Sequence, residues 1–385
     1  MTWTVRVRNS INEDVGELDQ YSLLEMVLRL NDVSAWQLTV PADNPLIGEL
    51  VKPGAGLRVF TSALPGTAVF TGPWTSMEVR KTAEERTYTF TGVDDTVWLK
   101  RRQASPSPTE GFPPYTVSAK DTVSNQPCST VLGYYVNRNI GPDAHSSRKH
   151  PLWTYSANPG LGANVSGEAR WQPLLTLLQE LAVANGNNIG FKVIQNGGAY
   201  QLYPFQPQDR TATVMFSEKL GNLADFTYSI EAPEANYVYV GGDGEGTART
   251  FKERSDGESI ARWGRIEGEL VDRPGTTDTT QLEQAGDEAL IDRQEKVSLS
   301  LTPIESKYMR FGADFYLGDK VTVQLEGDTE DGRIQEVIRE VKISLTPDGP
   351  CLVTPSVGTP GRQDIYRVFR AIQDIRDRLI YKERR

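Results

Sequence analysis

The chain is poor in the residues that most often carry chemistry. It has two cysteines and two histidines in 385 residues. Cys128 and Cys351 lie far apart and give neither a disulfide framework nor a metal-ligand spacing, so they read as buried thiols. His145 and His150 stand outside any His-Glu-x-x-His pattern, which leaves no zinc-hydrolase set. Nothing flanking Cys128 in NQPCSTVLG resembles a nucleophile site. No run of about 18 apolar residues occurs, so no helix is expected to cross a membrane. The opening MTWTVRVRNS shows no charged-then-apolar leader, and the expectation is synthesis in a cytoplasm. Positive charge is also short: 41 Lys and Arg face 51 Asp and Glu, a formal net charge of −10. That balance argues against stable nucleic-acid binding and against an anionic-membrane binder.

What the chain has in quantity is turn residues, 34 Gly and 23 Pro, which favour many strands. At this length two to four domains are expected. Alternation is clearest from Val297 to Leu345, where Val297, Leu299 and Leu301, then Val321, Val323 and Leu325, then Val337, Val341, Ile343 and Leu345 mark strands with one buried face. That spacing predicts an antiparallel meander, part of a small barrel or sandwich. The first hundred residues alternate in the same way. Thr2–Arg8, the strand ending at Pro41, Leu57 to Phe60, and a hairpin through Leu64-Pro65-Gly66-Thr67 predict about six strands.

Between these β regions the texture changes. Ala104 to Pro114 holds four prolines and reads as a linker. Trp171 to Ala184 predicts a helix with Leu174, Leu177, Leu178, Leu181 and Ala182 on one stripe, started at Pro173 and stopped by Asn185-Gly186. A hairpin closed on Asn196-Gly197 or Gly197-Gly198 follows. Thr279 to Lys296 predicts a second helix with a part-buried face. Arg254 to Arg262 is polar and shows no pattern. A Pro- and Gly-rich linker then leads to a terminal helix, Gln363–Tyr381, in which Ile365, Val368, Ile372, Ile375 and Leu379 fall at heptad a and d spacings. Isoleucine at both positions favours trimers, and Phe369 and Ile380 widen the stripe as docking on a globular surface requires. A trimer stalk and intramolecular docking both remain open.

The expected fold is thus mainly β with an α/β insert: a β-barrel or split barrel at 1–103, an α/β domain at 104–235, a second barrel at 236–350 with a helical insertion at about 265–296, and a linker with the terminal helix at 351–385. No motif marks a reaction. Gly241 to Gly246 (GGDGEG) has the glycine density of a phosphate loop, but Asp243 and Glu245 would repel phosphate, so it reads as a tight turn. Leu325 to Arg333 crowds acids near a glycine, yet Gly327 sits where a calcium loop needs its first ligand. Among 51 acids no pair is singled out for sugar hydrolysis. The expectation is no enzyme, no cofactor and no metal.

The segment FGADFYLGDKVTV, with Gly312, Leu317, Gly318 and Asp319, resembles tail-hub (minor tail) proteins of long-tailed phages. So does an earlier order of elements: a Trp-x-Leu strand, a Pro-Gly turn, a Phe-x-Gly strand, then Gly92, Asp94 and Asp95 followed by Leu99-Lys100-Arg101-Arg102. The resemblance implies a fold shared with the T-even phage baseplate hub and the hub part of type VI secretion spikes. It also implies a virion protein at the tail tip. Such a protein is a homotrimer whose paired β domains form a pseudo-sixfold ring. The ring caps the tail tube at the distal tail protein or tube ring, converts sixfold to threefold symmetry, anchors tail fibres or receptor-binding proteins, and lets the tape-measure protein and DNA pass. Some members continue into a peptidoglycan-cleaving domain; with this chain ending at Arg385, such a domain is expected on another protein. Two other readings are a carbohydrate-binding tail adhesin, hinted at by the loop around Trp153, and a glycoside hydrolase acting on the host wall.

Overall fold

The computed structural model describes residues 2–111, 118–303, 309–325, 333–347, 349 and 351–358. The N-terminal part runs β1 (Trp3–Arg8), β2 (Asp14–Glu17), β3 (Leu23–Arg29), β4 (Ala35–Pro41), α1 (Ile47–Leu50), β5 (Gly56–Thr61), β6 (Ala68–Lys81), β7 (Arg86–Val93) and α2 (Val97–Lys100). Next come β8 (Asp121–Pro127), α3 (Cys128–Asn139), β9 (Asn164–Ala169), α4 (Leu174–Val183), β10 (Gly190–Asn196), β11 (Ala199–Phe205) and β12 (Met215–Ser217). The chain continues through β13 (Leu223–Glu231), β14 (Tyr237–Gly241), β15 (Phe251–Ser255), α5 (Gly257–Trp263), β16 (Val271–Asp272), α6 (Thr279–Arg293) and β17 (Lys296–Pro303). It returns to β18 (Lys320–Gln324), β19 (Arg333–Leu345) and β20 (Leu352–Gly358). Two compact units result, one of residues 1–225 with 301–356, the other built on 226–300.

In the first unit the strands are neighbours in the order β19-β3-β4-β7-β6-β5-β1-β2, with β18 on β19 and β12 on β18. The strand expected to end at Pro41 is β4, with Trp36, Leu38 and Val40 inside, and β3 shows the same alternation in its burial with Leu24, Met26 and Leu28 inside. Two expectations change here. The strands form no closed barrel among the described residues, and the regions expected as separate barrels share one sheet. The reason lies in β19, whose 13 residues exceed what one partner needs. Its first half pairs with β18, Arg333 to Val337 opposite Gln324 to Lys320, and its second half pairs with β3, Glu340 to Leu345 opposite Arg29 to Leu24. The predicted meander is likewise interrupted: β18 lies between β19 and the parallel strand β12 rather than beside β17.

In the α/β part α3 packs against α4 and over β8, β9 and β11, and α4 packs over β9. Its core contains Val131, Leu132, Tyr135 and Val136 of α3 and Leu174, Leu177, Leu178 and Leu181 of α4. At about 1.5–3 kcal/mol for each fully buried aliphatic side chain, the α4 stripe alone is a large driving term before ordering entropy is subtracted. α3 has no comparable sequence signal, because Tyr134, Asn137 and Arg138 interrupt its apolar positions. Val33, Val97, Leu99 and Ala104 belong to the same core, so it continues into the N-terminal part. The β10–β11 hairpin closes on Gly197-Gly198, both at positive φ, where glycine carries no Cβ penalty.

The second unit sets α6 on β14 and β15. Val240, Leu282 and Ala285 are its small core, with Val271 against them. α5 falls in the stretch that shows no apolar pattern. It forms because Asp256 caps it, accepting from the backbone N–H of Glu258 at 3.1 Å and Ser259 at 3.0 Å. The opposite face of the β14–β15 pair carries Tyr237 and Tyr239.

Candidate functional site

The sequence points to three groups of residues, and the structure places two of them. Ile365, Val368, Ile372, Ile375 and Leu379 lie outside the described residues, as does most of the acidic turn from Leu325 to Arg333. Gly312, Leu317, Gly318 and Asp319 are brought together at the entry to β18. Asp319 is buried and accepts from the N–H groups of Gln208 (2.8 Å) and Tyr316 (2.9 Å) and from Arg210 Nε (2.8 Å). One carboxylate thus ties the loop to residues 208–210 by two charge-assisted bonds and braces the loop's own turn by a third, from Tyr316. Gly318 sits at φ +88°, and a Cβ there would lie 2.8 Å from Pro207 Cγ and 3.1 Å from Leu30 Cδ1. Only glycine fits on both counts. Around them Phe311, Phe315 and Phe216 pack at ring separations of 5.5–5.8 Å. The motif is therefore an internal rivet rather than an exposed contact.

The second group is Gly92, Asp94 and Asp95. Asp95 is fully enclosed and pairs with the equally buried Arg8, Nη2 to Oδ1 at 2.6 Å. Thr71 Oγ1 at 3.0 Å and Gln195 Nε2 at 2.8 Å donate to its other oxygen. Arg8 also donates to Asn12 and Tyr200, and Asn12 Nδ2 reaches Gly198 O at 2.9 Å. The network joins β1, β6, the end of β7 and the β10–β11 hairpin, so the acid pair locks the sheet to the α/β part. Asp94 is held by Thr96, N and Oγ1 each at 3.2 Å, and desolvation pushes its carboxyl up to about 7, with the Asp95 charge adding to the rise. Nothing in the sequence marks Arg8 as the partner, since 87 residues separate the two. Gly92 leaves room for Trp36, whose indole would lie within 2.3 Å of a Cβ.

The features sought by the two other readings are arranged differently. Trp153 is buried against Tyr200 and His150, which leaves Tyr155 as the exposed ring of its loop among the described residues. The exposed aromatic patch is on the second unit instead: Tyr239 lies 5.3 Å from Tyr237, and Arg265 stacks 3.6 Å over Tyr237. That guanidinium occupies the ring a sugar would use. A groove of about 660 Å³ in the second unit is lined by Glu234, Glu267, Glu269 and Glu288. Glu234 pairs with Lys296, Glu267 with Arg265 and Glu288 with Arg273. Three of these four acids are thus engaged in ion pairs. Cys128 is buried beside Leu181 O, and desolvation pushes its thiol up to about 11, which suits packing and not nucleophilic work. Among the described residues no group of His, Cys, Asp and Glu is placed to hold a metal ion, and no helix is long and apolar enough to cross a membrane.

The architecture is that of phage tail proteins. A tail protein from Neisseria meningitidis MC58 superposes with a TM-score of 0.57 at 11% identity, covering 94% of this chain and 98% of that one. The 43 kDa tail protein of prophage MuSo2 from Shewanella oneidensis gives 0.55 at 14% identity, over 92% and 98%. Prophage tail protein gp18 from Listeria monocytogenes EGD-e gives 0.50 at 11%, over 97% and 99%. No protein with curated annotation matches the chain in sequence. Within this fold the chain belongs to the siphovirus ReqiPepy6 Gp37-like protein family, which it matches over residues 4–359.

Proposed function

We propose that the protein is a structural, non-enzymatic component of the tail tip: a homotrimeric hub that caps the tail tube and converts its sixfold symmetry to threefold. In this reading it docks on the distal tail protein or tube ring, anchors fibres or receptor-binding proteins, and leaves a lumen for the tape-measure protein and DNA. The observation that carries the reading is the near end-to-end match to tail proteins of similar size, 94% of one chain against 98% of the other. The net charge of −10 suits a passage that must not retain DNA. The internal nodes at Arg8–Asp95 and Asp319 suit a part that must bear load without rearranging. A pseudo-sixfold ring built from two equal barrels has less support, because β3 and β19 share a sheet; the threefold reading rests instead on the heptad residues Ile365, Val368, Ile372, Ile375 and Leu379.

The test is the mass of the purified chain by light scattering, with an image of the intact particle. The expected results are a species of three chains and threefold density of that mass capping a tube. A monomer in solution together with fibre-like density remote from the tube would refute the hub. Replacing Ile372 with Asp is expected to weaken the trimer while both units stay folded.

A further inference from the structure

Several enclosed arginines among the described residues have a carboxylate beside them. Arg8, Arg29, Arg58, Arg138 and Arg210 are paired with Asp95, Glu340, Asp14, Asp121 and Asp319. One cluster breaks that pattern. Just after α2, Arg102 faces Arg148 and His150 from the loop that follows α3, with Arg101 next to it. Arg148 Nη2 donates to Gln103 O at 2.7 Å and to Asn139 Oδ1 at 3.0 Å, which plants it beside the Arg102 backbone. Arg101 stacks 5.2 Å over the Trp98 ring, and His150 meets the same indole at 4.6 Å. No carboxylate pairs with Arg101, Arg102 or Arg148 among the described residues.

The cluster is short of acceptors as well as of counter-charge. Arg102 Nε, Arg148 Nε, Trp98 Nε1 and Trp153 Nε1 are all buried without a hydrogen-bond partner. A buried donor left unmade costs about 1–3 kcal/mol, and these four belong to residues grouped around Arg102 and His150. The cations also oppose one another. Burial and then Arg101 push Arg102 below its usual range, while burial and then Arg102 do the same to Arg148 and to His150. An arrangement that repels itself, in a protein with ten excess negative charges, is the kind an anion stabilises.

We propose that Arg102 and Arg148, walled by Trp98 and His150, form a binding site for a phosphate-class oxyanion. Two permanent guanidinium charges match one phosphate dianion, or two successive units of a phosphodiester chain. The guanidinium fork also suits tetrahedral oxyanions, to which it donates two parallel bonds. The ligand is either free phosphate or a phosphate monoester, or else a unit of a phosphodiester chain, and these differ in charge. The inference is independent of the trimeric reading.

Calorimetry on the full chain at pH 8 and low salt tests it, with inorganic phosphate, dimethyl phosphate and hexaglutamate as probes. One phosphate per chain is expected, weakened about tenfold or more by Arg102→Gln or Arg148→Gln and unchanged by Lys149→Gln, whose side chain is exposed. Tighter binding of phosphate than of dimethyl phosphate assigns the free or monoester source; the reverse order assigns a diester chain. Both orders keep the site. Absence of phosphate binding overturns the proposal, as does binding that ignores both arginine variants, or hexaglutamate binding in preference to phosphate. Should either variant fail to fold, selenate soaked into crystals of the unaltered chain decides the matter. An anomalous peak touching both guanidinium groups supports the site, and its absence there overturns it.

Discussion

Two ion pairs of the same length show how differently the units are built. In the first unit Arg8 and Asp95 meet at 2.6 Å with 1% and 0% of their side chains exposed. In the second Arg254 and Asp287 also meet at 2.6 Å, but at 40% and 47% exposure. The enclosed pair cannot exchange its partner for water, so losing either side strands a charge in a low dielectric. The open pair is solvated and screened by salt, and its net worth is small. The cores follow the same contrast. The α/β part of the first unit has a core cluster of more than twenty buried residues, whereas the cluster of Val240, Leu282 and Ala285 in the second is small among the described residues. Separation alone therefore says little about what an interaction contributes; enclosure decides it.

The contrast is broken most sharply by Asp95→Ala, which leaves Arg8 buried without its charge partner. The expected loss is about 3–5 kcal/mol in denaturant unfolding followed through the first unit. A loss below about 1 kcal/mol would mean that the network is better hydrated than its enclosure indicates. Leu282→Ala is expected to cost about 2–5 kcal/mol, concentrated in the second unit because so few other residues share its core. Hydrogen exchange should then rise across β14 and β15 while β3, β4 and β7 keep their protection. Equal rises in both sets would show one cooperative body instead of two.

The third prediction concerns pH. The Asp94 carboxyl is pushed up to about 7 in the folded chain, above its unfolded range near 3.8, so the native state binds the extra proton. Its contribution is fully present at acid pH and is lost as pH rises through about 7. Between those values it lowers stability by at most about 1.4 kcal/mol per pH unit. Asp94→Asn should flatten that part of the stability curve; an unchanged slope would exclude this group as its source. The smallest effect is expected at the open pair. Arg254→Ala should cost less than about 1 kcal/mol, and raising the salt should shrink even that difference. A larger, salt-independent cost would place the pair in a drier setting than its exposure implies.

Much of this architecture is written locally. Period-two alternation marks β1, β4 and β19; the leucine stripe marks α4; and the run Asn196-Gly197-Gly198 marks the hairpin after it, because each depends on residues only a few positions apart. Gly318 is marked by its place at the turn into β18, whereas Gly312 is singled out only through the resemblance; both sit at positive φ. α3 and α5 could not be read this way. The first has its apolar face interrupted by polar residues, and the second rests on one aspartate cap rather than on a stripe.

What only the tertiary structure decided is pairing over distance. A strand pattern tells which face is buried but not which strand lies beside it, and so β19 could be expected in a separate barrel while in fact running alongside β3, more than 300 residues away. The same holds for charge. Arg8 and Asp95 were ordinary surface-type residues until the fold enclosed them together, and Arg102 and Arg148 became a cluster only when the loop after α3 returned to the end of α2. Composition determined that the protein is strand-rich and acidic. Which charges end up compensated depends on the local dielectric and on neighbours brought in from elsewhere in the chain, and those exist only in the folded molecule.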